Sequence, residues 1–193
     1  MIRYILVIFF TLLVFTSKAQ TTVYINWQTV EPGNATDIIH YDIDRKLTWP
    51  DFKGKPVASS FAAAVTESGF GYKLSMKSNN GRTTINITVY CYFDKNKSWV
   101  KKGMNTSYAL LHEQHHFDIT YINTLLFVQN LKAAKFTKSN CSTLSAQIHD
   151  ESFKALNKMQ NEYDGETSNG RKPAVQAMWN KKIDEQLAAF FTN

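Results

Sequence analysis

Long apolar runs are nearly absent from this chain. The exception is its first twenty residues, MIRYILVIFFTLLVFTSKAQ. Tyr4 to Phe15 is apolar apart from Thr11, which suits the h-region of a signal peptide and falls short of the roughly 20 residues that span a bilayer. Arg3 supplies the positive start, and Ala19 and Gln20 offer cleavage sites. Residues 1–20 are therefore read as a signal peptide and residues 21–193 as one exported domain, periplasmic or secreted, without stable membrane insertion. Cysteine is scarce. Cys91 and Cys141 are the only two, and neither lies near residue 20, which argues against a lipid anchor. A framework of several disulfides is excluded; one bridge or two buried thiols remain open. Neither cysteine has a close-spaced Cys or His, so thiolate ligation of a metal is not expected.

Concentrated charge is also missing. The formal net charge of +6 falls to +4 once Arg3 and Lys18 leave with the leader, and the remainder is evenly spread. That is too mild to point to nucleic acid. There is no internal repeat and no low-complexity tract, which removes solenoids and disordered tails from consideration.

What is present divides into two halves. Residues 21–27 and 37–43 read as strands, and LTWPDFKGKP at 47–56, with two prolines and a glycine, reads as turns. Residues 62–65 and 71–76 suggest further strands. Asn79-Asn80-Gly81 is a hairpin signal, and the β-branched and aromatic run TTINITVYCYF at 83–93 follows it. The second half is helical. Asn105, Thr106 and Ser107 are N-cap candidates for a helix running to about Lys135 with no proline or glycine inside. A second helix is expected from Ser142 to about Glu162, a break at YDGETSNGR (163–171), and a third helix from Pro173 to about Phe191. Strands first and helices second give an α+β domain with a mostly antiparallel sheet.

The chemistry concentrates in LLHEQHHFDI, residues 110–119. His112 and His116 stand four apart, which on a helix puts them one turn apart and about 40° from each other in rotation. Two imidazoles so placed can converge on one metal ion. Glu113 follows His112 by about 100°, at the edge of that ion's reach. This is the H-E-x-x-H arrangement, with two zinc ligands and a carboxylate that serves as general base toward water. His115 falls to the other side and is expected beyond the ligand set, with substrate contact as its less favoured role. Trp49, Phe52, Trp99 and Trp179 are expected in the core, and His40 and His149 as structural residues.

LTWPDFKGKP, SWV at 98–100, LLHEQHHFDI, and YDGET at 163–167 with Gln176 and Trp179 following resemble the DUF922 family of predicted secreted zinc-dependent proteases of bacteria. The resemblance covers about residues 45–185. It implies a zincin-like metallopeptidase domain acting on peptide or protein substrates. In that family the late motif continues Tyr-Asp-x-x-Thr-x-His; here Tyr163, Asp164 and Thr167 fit, and Asn169 stands where the histidine would be.

Two histidines hold zinc weakly, and catalytic zinc sites carry three protein ligands. The third must come from later in the chain. Asp164 is the first choice, because a carboxylate is a good ligand and the Tyr-Asp pair matches the family. Glu166 is second and Asn169 third. Tyr163 is either a transition-state donor beside the metal or a buried tyrosine with a satisfied hydroxyl. The expectation is an exported zinc hydrolase with Glu113 as its base. The alternative is a degenerate binding domain, for which Asn169 is the argument.

Overall fold

A computed structural model describes residues 20–28 and 37–191. The signal-peptide reading falls on residues 1–20 and so lies outside them, except for Gln20, which opens the first strand.

The sheet is built around β5 (Arg82–Asp94). Along it, Ile85, Ile87, Val89, Cys91 and Phe93 are all at most 3% exposed, while the residues between them are half-buried. That two-residue period turns one face of the strand toward the core. β4 (Ser68–Asn79) pairs with β5 antiparallel over its whole length. The two are joined by Asn80 and Gly81, both with positive φ (46° and 76°), the turn conformation that Asn-Gly adopts most readily. On the other edge of β5, β1 (Gln20–Trp27) pairs parallel and β2 (Ile38–His40) antiparallel. The sheet is therefore mixed, with β1 as its parallel member. A separate pair, β3 (Ala64–Val65) with β6 (Trp99–Val100), forms a small antiparallel ribbon. β6 escaped the sequence reading, since two residues carry no period.

Three helices follow. α1 (Ser107–Ala133) starts at Thr106, whose hydroxyl accepts the N–H of Ala109 at 3.1 Å. It packs against α2 (Cys141–Thr167), α3 (Pro173–Phe191) and strands of both sheets. Packed against several elements along its middle, it buries Phe117, Ile119, Phe127 and Leu131 in the core with the β5 residues and also buries polar groups, His112 to His115 among them.

α2 corrects the expected boundary. It does not stop near Glu162 but continues through Tyr163, Asp164 and Gly165 to Thr167. Gly165 costs such a helix about 1 kcal/mol relative to alanine. The turn holds because Tyr163 is fully buried and the Thr167 hydroxyl donates back to the Tyr163 carbonyl at 2.6 Å. The stop comes from Ser168, Asn169 and Gly170, three successive left-handed residues (φ 53°, 53° and 76°). The backbone N–H of Asn169 returns to the Asp164 carbonyl at 2.8 Å, closing the end of the helix.

Cys91 and Cys141 are both buried free thiols, so of the two readings the unbridged one holds. Burial pushes the Cys91 thiol up to about 12. Phe52, Trp99 and Trp179 are buried and Trp49 is packed against that core, as expected of them. His149 sits among Phe70, Tyr72, Phe127 and Phe153.

Candidate metal centre

The i, i+4 spacing on α1 brings His112 and His116 to one face, and α2 meets that face with its own i, i+4 pair, Gln160 and Asp164. Asp164 Oδ1 lies 3.1 Å from His112 Nε2 and 3.0 Å from His116 Nε2, and the two nitrogens are 3.2 Å apart. Ligands held about 2.0–2.1 Å from a tetrahedral zinc stand about 3.3–3.4 Å from one another. Three donors on a near-equilateral triangle of this size form one face of such a tetrahedron. His112, His116 and Asp164 are therefore a group able to hold a metal ion, and all three line one cleft.

The remote nitrogens are committed elsewhere. His112 Nδ1 is 2.8 Å from Gln176 Oε1, and His116 Nδ1 is 2.5 Å from Gln160 Oε1. Charge follows the same geometry. Burial opposes a proton on His116, but the Asp164 hydrogen bond and the negative charges of Glu113 and Asp164 outweigh it and raise the imidazole to about 9. Burial would also raise Asp164, yet the hydrogen bonds and charges of His112 and His116 hold its carboxyl below the usual carboxylate range.

Glu113 lines the same cleft of about 400 Å³. It is 5% exposed, and its Oε2 is buried with no hydrogen-bond partner among the described residues. Its backbone carbonyl accepts the Thr66 hydroxyl at 3.1 Å, which ties α1 to the end of β3. Ala62 to Thr66, Tyr108, Asn169, Gly170 and Arg171 also line the cleft.

No family model, no curated protein and no solved structure matches this chain. The remaining candidates are accordingly placed by the geometry alone. Glu166 turns away, its Oε2 accepting the Trp179 indole N–H at 2.7 Å. Asn169 lines the cleft. Tyr163 departs from one of its two readings. Its ring stacks on His112 with centroids 4.7 Å apart, and its hydroxyl is spent on the His112 carbonyl and on Gln176. It presents nothing to the cleft and supports the ligand ring from behind. His115 is 2% exposed and is not among the residues lining the cleft, its Nδ1 donating to the Leu111 carbonyl at 2.8 Å and its Nε2 facing Asp184 at 3.6 Å.

Sequence reasoning overlooked Gln160 altogether and gave Gln176 no role. For Gln160 the signal was there: it precedes Asp164 by one helical turn, so a ligand at 164 implies a neighbour at 160 on the same face. That inference required the helix to run past Glu162. Tyr108, one turn before His112, was overlooked as well; its hydroxyl donates to the Gly170 carbonyl at 2.7 Å and pins the α2–α3 connection over the site.

Proposed function

We propose that this chain is an exported zinc-dependent hydrolase, a metallopeptidase with Glu113 as its general base. The observation that carries the reading is the convergence of two imidazole nitrogens and one carboxylate oxygen, 3.0–3.2 Å apart, beside the buried and unpartnered Glu113 Oε2. The donor set fits zinc, and three ligands with one open direction are the pattern of catalytic rather than structural zinc. Bound there, zinc would supply a Lewis acid that acidifies water and polarises a carbonyl.

The chain's own residues supply the rest. His112, His116 and Asp164, which all line the cleft, would hold the ion. Glu113 keeps a carboxylate oxygen free of competing bonds, able to take a proton from water and return it to a leaving amine. Leaving such an oxygen without a partner costs stability, and groups of this kind concentrate where chemistry uses them. Export is supported by the apolar N-terminal stretch, and the peptidase class by the likeness of LTWPDFKGKP, LLHEQHHFDI and YDGET to the DUF922 family. Asn169 was the argument for a degenerate binding domain. With Asp164 converging on both histidines, a group of three residues that could hold a metal ion is complete without a histidine at 169.

The test is a peptide-library digest by the zinc-loaded chain, read by mass spectrometry. Cleavage abolished by a chelator is expected. Glu113→Gln should retain zinc and lose at least about 100-fold in rate, roughly 3 kcal/mol of transition-state stabilisation. A zinc-loaded wild-type chain that cleaves nothing would move the protein to the binding-domain reading.

A further inference from the structure

We propose that Gln160 and Gln176 are positioning residues that hold both histidines in the tautomer with Nε2 free, and that they do so with electrically neutral partners. This rests on His112, His116 and Asp164 being the metal ligands.

Each glutamine's orientation is dictated by a backbone carbonyl, which can only accept. Gln160 approaches the His116 carbonyl at 2.9 Å, so the atom placed there is its NH2 group. Thr120 Oγ1 donates its own proton to that carbonyl at 3.0 Å and so accepts the second N–H of Gln160 at 3.2 Å. Oε1 of Gln160 is thereby turned toward His116 Nδ1, which must carry a proton. Gln176 is fixed through one further link. The Tyr163 hydroxyl points at the His112 carbonyl at 3.4 Å and donates to it; it therefore accepts from the Gln176 NH2 group. That leaves Gln176 Oε1 facing His112 Nδ1 at 2.8 Å. With both Nδ1 atoms protonated, the two Nε2 atoms grouped with Asp164 Oδ1 are the ones that can give up a proton and offer a lone pair to a metal.

The choice of an amide has a reason. Histidine ligands need an acceptor behind them, and carboxylates often fill that place. A glutamate at 160 would accept from His116 equally well but would set its other oxygen against the His116 carbonyl. It would also add a third carboxylate beside Asp164 and Glu113. Glutamine offers an acceptor and a donor without charge, so the imidazoles are oriented without being made more electron-rich. A metal ion held there would keep more of its positive character for the substrate. Because Gln160 belongs to α2 and Gln176 to α3, the two amides also lock both helices onto α1 at the ligand positions.

The experiment uses the full chain and two readouts that do not involve turnover. Zinc affinity is measured by competition with a chelating dye, and the imidazole ¹H–¹⁵N spectrum of the zinc-loaded protein is recorded. Wild type should show two slowly exchanging Nδ1–H signals. Gln160→Met should lose the His116 signal and keep that of His112, Gln176→Met the reverse, and each should bind zinc about 10–100-fold more weakly. An Nε2–H signal from either histidine in the wild type overturns the proposal. So do affinities within about threefold of wild type, or both Nδ1–H signals surviving in both variants. Wild-type protein that takes up no zinc refutes the metal reading itself, a result distinguishable from failure of the glutamine assignment.

Discussion

Asp164 is the residue on which the site closes. Among the described residues it is the one carboxylate within 3.1 Å of both His112 Nε2 and His116 Nε2, whereas Glu166, two residues later, is held by Trp179. Asp164→Ala should therefore weaken zinc binding by far more than Glu166→Ala, which should leave it close to wild type. A competition titration of the two variants decides, and equal losses would remove Asp164 from the ligand set. The same carboxylate sets the pH dependence. His116 is raised to about 9, so below that value a proton occupies the nitrogen that zinc needs. Zinc affinity of the wild type should climb about tenfold per pH unit toward pH 9 and level off above it. Stability of the zinc-stripped protein should run the other way. A group whose folded value lies above its ordinary value of 6.5 contributes fully below 6.5 and loses that contribution as pH rises through about 9. A stripped protein whose melting temperature rises over that interval would contradict the His116–Asp164 pairing. Much of this was legible beforehand: the H-E-x-x-H spacing names His112, Glu113 and His116, and Asp164 stood first among the later candidates. Tyr163 was harder to place, because sequence distinguishes a tyrosine near a metal from one behind it only through the direction of the hydroxyl.

At the scale of elements, the end of α2 decides whether Asp164 arrives in register. YDGETSNGR carries two glycines and several turn-prone residues, which is why its composition reads as a break. Burial overrides that composition. Tyr163 is enclosed by His112, His116 and Trp179, and one hydroxyl, that of Thr167, serves the Tyr163 carbonyl and the Gly170 N–H at 3.2 Å. Thr167→Val keeps the shape and removes both bonds, leaving a buried N–H unsatisfied. It should cost about 1–3 kcal/mol in urea denaturation, and it should weaken zinc binding as Asp164 loses its register. An unchanged midpoint would mean that the left-handed residues 168–170 terminate the helix unaided. The hairpin at Asn80-Gly81 was readable because its turn chemistry is local. The parallel pairing of β1 was not, since register between distant strands is set by the assembled core rather than by either strand's pattern.

For the whole molecule, the arrangement of α1 is the organising fact. Between His112 and Val128 this helix is packed by sheet and helices with only Leu126 exposed, so apolar and polar residues there are buried together and show little amphipathic period. Composition could give α+β and the order of elements, but not which side of α1 would receive α2. That packing brings residues 48 positions apart, His116 and Asp164, to hydrogen-bond distance and leaves Glu113 beside them in a cleft. The account's central claim is that this junction is a metal centre with three protein ligands and one open direction. The most direct measurement is anomalous X-ray scattering at the zinc edge from crystals of the chain grown with one equivalent of zinc. The account predicts a single strong peak about 2.0–2.2 Å from His112 Nε2, His116 Nε2 and an Asp164 carboxylate oxygen, with Glu113 outside the ligand shell. A peak elsewhere, or one that draws in Glu113 in place of Asp164, would contradict it.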